Sequence, residues 1–235
     1  KIVARKVPVL PEKVTFDTVK DALKDLETVP IGINRKSLEI TTYNFKKNFI
    51  NIVTAKNIDV AAEFISHILE EIKQLSDVNI EIFDAERIIQ TGKTNLNLNY
   101  KNFMLDIENG VNKNKDVVCI IIGIDKLIND LDYGESGFYE MLQKAEELKN
   151  YTFIIVDNFT KFKSHEYDEW YKNYISGDSG IWVGKGVTDQ YLISVNINDR
   201  NTINKCGDSF GHIIIREEST VVKLLGMKEK GDENG

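Results

Sequence analysis

The chain has 235 residues, with 37 acidic against 30 basic side chains and a formal charge of −7 at neutral pH, which argues against a basic nucleic-acid binder. Apolar residues make up 42% and charged residues 29%, the balance of a chain that packs a core rather than one that stays disordered. The longest apolar run, Val117 to Ile124, is far short of the roughly 18 residues of a membrane span.

With 15 glycines and three prolines there is little material for long linkers, so one main domain is expected over residues 37–227. An arm (1–36) should precede it and a disordered tail (228–235) follow. Lys1 opens the sequence and no basic-then-apolar signal segment follows, so the chain is expected to come from a longer protein whose remainder would carry any membrane anchor. Cys119 sits in the most apolar stretch and Cys206 in a polar one, which gives no disulfide or metal framework and fits a reducing, cytoplasmic setting. His67, His165 and His212 are far apart in sequence and lack partners at ligand spacing, so no metal site and no catalytic histidine is expected.

In chain order, Pro8, Pro11 and Pro30 remove donors that a central strand would need, so the entry segment is expected to be extended, interrupted by one short amphipathic helix within VTFDTVKDALKDL. LEITTYNF alternates, and FINIVT (Phe49 to Thr54) is a continuous apolar run of buried-strand type. From Val60 to Ile72 apolar residues recur at three- and four-residue spacing, which predicts a helix with Glu63, Glu70, Glu71 and Lys73 outward. NIEIFD is the next strand, Tyr100 to Asn112 a helix, and VVCIIIGI the central strand. A helix over Gly137 to Leu148, a strand in TFIIVDNF and a short helix from His165 come next. Strands in IWVG, YLISVNI, HIII and VVKLLG close the domain, with a hairpin turn near Glu217 to Thr220. Strands and helices alternating in this way, with strands apolar on both sides, predict an α/β fold of a mostly parallel sheet covered by helices on both faces.

In such a sheet ligands bind at the carboxyl ends of strands, and the first buried strand with its following helix is where a phosphate loop would lie. That place is FINIVTAKNIDVAAEF. A working loop needs glycines to let amides wrap phosphates, a lysine for the terminal groups and a hydroxyl for magnesium. Over Thr54, Ala55, Lys56, Asn57, Ile58, Asp59, Val60 and Ala61, Thr54 takes the first glycine's place, Asp59 the second's, Val60 the lysine's and Ala61 the hydroxyl's. Asp59 has the greatest physical consequence, because a carboxylate at a helix start caps the free amides and puts negative charge where a triphosphate would lie. Lys56 is the one residue able to rescue anion binding. The plainer alternative is an ordinary strand, cap and helix. The Gly92-Lys93-Thr94 triplet lacks the earlier glycine and is read as a decoy. At the strand end where an acid would hold magnesium, over Gly123, Ile124 and Asp125, Gly123 holds the acid's place and Asp125 comes two residues late. Hydrolysis is therefore not expected, and neither ATP nor magnesium is firmly expected in this module.

Tyr167, Trp170, Tyr171 and Tyr174 fall at helical spacing, with Trp182 close behind. Two readings stand: core packing of a helix on the sheet, or an apolar pocket for a partner's side chain, for which Trp170, Tyr174 and Trp182 are the candidates.

The stretch from Trp170 through GIWVGKGVTDQ, the strand, altered loop and helix of FINIVTAKNIDVAAEF, and the early VPVLPEKVTF and VPIGI together resemble the third, C-terminal ATPase module of type VII secretion coupling ATPases (the EssC type) of the FtsK/SpoIIIE family. The likeness runs from about Val7 to Leu225. It implies a RecA-like P-loop NTPase fold with a degenerate nucleotide site, Thr54 to Ala61 matching the Walker A position and Gly123 to Asp125 the Walker B position. It further implies a multi-pass membrane protein with tandem modules on the cytoplasmic face of the bacterial membrane, ATP with magnesium being held by its other modules. Hexameric assembly, neighbouring modules of the same chain and WXG100-type secretion substrates are the partners implied. An active translocase module of the same family is the alternative.

Overall fold

The computed structural model describes residues 9–89, 95–203 and 206–229. Among them, nine strands form one sheet in the order β2-β1-β9-β8-β7-β3-β6-β5-β4. These are β1 (Val29–Asn34), β2 (Ile40–Tyr43), β3 (Ile50–Ala55), β4 (Val78–Asp84), β5 (Asp116–Ile122), β6 (Tyr151–Asn158), β7 (Ser179–Val183), β8 (Phe210–Ile215) and β9 (Glu218–Leu224). From β7 to β4 every neighbouring pair is parallel, and from β7 to β2 every pair is antiparallel. The sheet is thus mixed, and the parallel part carries the helices.

Period-two alternation sorts the central strands between two cores. Val118, Ile120 and Ile122 of β5, Ile154 and Val156 of β6, and Val53 and Ala55 of β3 face one side, where α2 (Ile58–Ile72) lays down Ala61, Ala62, Phe64, Ile65, Ile68, Leu69 and Ile72. The residues between them, such as Val117, Cys119, Ile121, Phe153 and Ile155, face the other side. There α3 (Leu96–Asn109), α4 (Ile124–Asp130), α5 (Gly134–Leu148), α6 (Phe159–Ser164) and α7 (Glu169–Tyr174) cover them. Both faces are therefore dry, which is what makes these strands read as unbroken apolar runs.

Several expectations change. The entry segment is not an extended arm throughout, because β1 lies in it and pairs with β2 on one side and β9 on the other. Pro30 pairs with Thr42 of β2 where the β1–β2 register shifts between Pro30 and Gly32, a bulge position at which a strand tolerates a missing donor. The helix before it is short, α1 (Phe16–Val19) followed by a 3-10 turn. YLISVNI forms no strand: Val195 makes an isolated bridge to Glu217, while Leu192 and Ile193 are buried in the helix-covered core. NLNLNY begins α3, with Asn95 capping the Leu98 amide at 3.0 Å, while the GKT triplet lies outside the described residues. In the tail, Glu229 accepts from the Asp208 amide at 3.0 Å and the Ser209 hydroxyl at 2.5 Å, and residues 230–235 lie outside the described part. The last hairpin turns at Arg216 and Glu217, both at positive φ, as a two-residue turn between right-twisted strands requires. A short helix, α8 (Arg200–Ile203), precedes that hairpin.

Gly32 lets β1 approach β9: at φ +154° a Cβ there would come within 2.1 Å of the Lys223 carbonyl oxygen. Gly32→Ala is expected to cost more than about 1 kcal/mol by forcing β1 off β9. A urea midpoint lowered at unchanged slope would report it.

Candidate functional site

Connections leave β3 and β6 toward opposite faces of the sheet, β3 into α2 and β6 into α6. Their carboxyl ends lie side by side, Thr54 opposite Asp157 and Ala55 opposite Asn158. This is the switch point at which open α/β sheets place ligands.

The eight residues at the phosphate-loop position divide sharply. Thr54 and Ala55 are the last two of β3, Ile58, Asp59, Val60 and Ala61 are the first four of α2, and only Lys56 and Asn57 lie between. A phosphate cradle needs a longer loop whose amides converge on one point. This turn has no such concavity. The helix is capped from within: Asn57 Oδ1 accepts from the Asp59 amide at 3.0 Å, and the Asn57 carbonyl accepts from the Val60 amide at 3.2 Å. Asn57, not Asp59, is therefore the cap, because a cap side chain reaches forward from just before the first helical residue and Asp59 is already in the first turn. Asp59 is exposed and adds negative charge beside the positive helix end. Lys56 does not reach toward the switch point. Its ammonium pairs with Asp189 beyond β7, and that pairing holds the Asp189 carboxyl below its ordinary range.

The Lys56–Asp189 pair closes over Gly186, which, like Gly184, has positive φ. A Cβ on Gly186 would meet the Lys56 side chain at 2.2 Å, so glycine is required for the lysine to lie there. A cavity of ≈ 380 Å³ lies beside this pair, with Lys185, Thr202 and His212 among its lining residues. His212 is kept neutral, since burial first and Arg35 second push its pKa down to about 4.

At the end of β5, Gly123 sits at φ +79° and heads α4, and its amide donates to the Val156 carbonyl at 2.9 Å. Ile124 is in the core, and Asp125 follows on the first turn, where its carboxylate meets Lys161 at 2.6 Å and His165 Nε2 at 3.4 Å. His165 Nδ1 also meets Asp168 at 2.6 Å, so this imidazole ties α4 to the start of α7. The strand-end acid that the sequence reading passed over is Asp157 on β6. It is 3% exposed, takes the Asn158 amide at 2.7 Å and lies against the Ile124 and Asp125 amides. Burial outweighs those bonds and pushes its pKa up to about 6. The signal was present in YTFIIVD, an apolar strand ending in an acid. Among the described residues no group of three or more His, Cys, Asp or Glu is placed to hold a metal ion.

The aromatic candidates separate from one another. Trp170 and Trp182 are both fully buried. Trp170 meets Phe138 edge-on at 5.3 Å, and Trp182 donates to the Gly184 carbonyl at 3.1 Å. Neither ring presents a face to a partner, because α7 and the strand beside β3 both turn these large apolar surfaces onto the helix-covered core. Tyr174 is half-buried against Phe49, with its hydroxyl donating to Glu146 at 3.0 Å.

No protein-family model matches the chain, and no curated protein matches it in sequence. Among solved structures, ATPases 2 and 3 of EssC from Geobacillus thermodenitrificans superpose at a TM-score of 0.74 with 12% identity, over 93% of this chain and 45% of that one. ATPases 2 and 3 of Thermomonospora curvata EccC, in complex with a signal sequence peptide, superpose at 0.69 with 13% identity over 96% and 45%. The pCW3 conjugation coupling protein TcpA, in its monomer form with ATPγS, gives 0.60 with 8% identity over 92% and 70%. The fold is that of the P-loop ATPase domains of EssC and EccC. The chain spans about half the length of the two-module structures it matches.

Three outcomes check this site. Asn57→Ala should cost about 1 kcal/mol, and Asp59→Ala should cost less, by thermal or urea unfolding. Trp170→Ala should cost roughly 3 to 5 kcal/mol, whereas a ring serving only as a contact surface would leave stability unchanged. A carboxyl whose folded pKa is raised binds more protons folded than unfolded, so stability falls as pH rises from the ordinary aspartate range through about 6. Asp157→Asn should flatten that part of the stability–pH curve.

Proposed function

We propose that this chain is the C-terminal ATPase-like module of a type VII secretion motor, acting in substrate recognition and in regulation or assembly of the motor rather than in ATP hydrolysis. The observation that carries this reading is the two-residue passage from β3 to α2, which leaves no loop to wrap a phosphate chain and no lysine aimed at the switch point. The glycine at the end of β5 supports it, since the acid that would hold magnesium is replaced and the following Asp125 is engaged by Lys161. ATP with magnesium is therefore assigned to other modules of the parent protein.

The likeness to EccC ATPases in complex with a signal sequence peptide supports secretion substrates of the WXG100 type as the partners. The acidic charge of −7 speaks against DNA as cargo. In this reading the module works at the cytoplasmic face of the bacterial membrane, beside neighbouring modules of one chain and within a hexamer. Among the described residues no helix is long and apolar enough to cross a membrane, so the anchor is assigned to the rest of the parent.

The purified chain is expected to show no ATP turnover above the protein-free rate, with Lys56→Ala leaving that baseline unchanged. Turnover that disappears in Lys56→Ala would instead establish an active translocase module.

A further inference from the structure

Near the C-terminal end of α2, far along the helix from the switch point, Glu71 is buried although the helical spacing places it outward. It is only 1% exposed, and neither carboxylate oxygen has a hydrogen-bond partner among the described residues. A neutral carboxyl is tolerated in such a place, whereas an ionised one without a partner is strongly disfavoured. Burial pushes the Glu71 pKa up to about 7, so this acid changes charge close to neutrality.

Glu71 lies beside a seam between the two ends of the chain. Just before α1, Val14 bridges to Leu225, and its carbonyl accepts from the Gly226 amide at 2.9 Å. Between this seam and α2 lies a cavity of ≈ 350 Å³ that Glu71 borders, with its two oxygens covered. The charged and titratable groups around the cavity are Lys13 from the entry segment and His67, Glu70 and Glu71 from α2, while the stretch at Leu225 and Gly226 brings none. Glu70 is held by Lys73 at 2.6 Å. His67 is kept toward neutrality by burial first and Lys13 second, with Glu63 and Glu70 acting in the opposite sense. Lys13 is exposed and has no carboxylate at ion-pair distance among the described residues.

One cavity thus has, on two different elements, an acid without a partner and a cation without one. While Glu71 is neutral, little draws the two together. Once it is ionised, its covered position becomes unfavourable, and Lys13 is the cation its side chain can turn to across the cavity. We infer that Glu71 and Lys13 form a pH-sensitive latch, in which ionisation turns the Glu71 carboxylate into the cavity to pair with Lys13 and tie the entry segment to α2. The inference does not rest on the reading of the β3–α2 turn.

The test is an NMR titration of the whole chain from about pH 4 to about pH 9, following the Glu71 carboxyl carbon and the Lys13 side-chain ε signals. Glu71 should titrate above the ordinary glutamate range, at up to about 7, and the Lys13 signals should move with the same midpoint. Lys13→Gln, at an exposed position, should raise the Glu71 midpoint by about one pH unit, because the ionised form loses its partner. In Glu71→Gln the Lys13 response should vanish, which separates it from any effect of His67. A Glu71 midpoint in the ordinary glutamate range, Lys13 signals that stay fixed while Glu71 titrates, or a midpoint unchanged in Lys13→Gln would each overturn the inference. The titration of the unaltered protein decides the matter even where a variant folds poorly.

Discussion

The carboxyl edge of the parallel sheet takes its character from the way β3 meets α2: a strand buried along its whole length, a turn of Lys56 and Asn57, and then a helix already formed at Ile58. A helix start has four amides without intrahelical partners, and in nucleotide-binding folds a long loop carries those donors around an anion. Here the chain has no length for that. Asn57 answers the amides with its own side chain and carbonyl, and Asp59 supplies the negative charge that the helix dipole favours. The Asp59 and Val60 amides are thus taken up by the chain itself, and Lys56 pairs with Asp189 beyond β7.

This arrangement needs a support stiff enough to hold the two strand ends in register, and the core on both faces of the sheet supplies it. Alternate residues of β5 and β6 are fully buried on opposite sides, so a shift of either strand by one residue would exchange the two sets and misfit both layers. Trp170 and Trp182 belong to that support. They fill space between the sheet and α5 to α7, where aromatic surface contributes most when no water reaches it. The antiparallel strands beyond β7 extend the sheet without changing the switch point, and close approach at Gly32 joins the early strand β1 to the late hairpin.

Continuous apolar runs made β3, β5 and β6 readable in the sequence, and the spacing of Phe64, Ile65, Ile68 and Ile72 made α2 readable, because each signal depends on which residues must leave water. The short passage from β3 to α2 is what the order of those residues in the chain leaves, with Lys56 and Asn57 alone between strand and helix. What the sequence hid depends on contacts distant in sequence. Pro30 argued against a strand, yet it falls where the β1–β2 register is broken, a position that can lack a donor. YLISVNI alternates like a strand, but Gln190 takes the Leu192 and Ile193 amides and only Val195 bridges to Glu217, so it forms no ladder. The aromatic spacing from Tyr167 to Tyr174 indicated a helix correctly while leaving open whether the rings met core or partner, because periodicity gives the face and not what covers it. Asp157 ends an apolar run, and the run alone does not say whether such an acid turns inward to amides or outward.

Asp157 also shows how the acids at this edge are tied into the fold. It turns its carboxylate inward to amides at the start of α4 and α6, and Asp84 at the end of β4 does the same with the Ile89 amide at 2.6 Å. Burial raises the pKa of both acids despite these bonds, so their donors are spent on holding the turns rather than on holding charge for a ligand. Asp125, the acid closer to solvent, is divided between Lys161 and His165. Strand-end acids and helix-start amides thus satisfy one another within the chain.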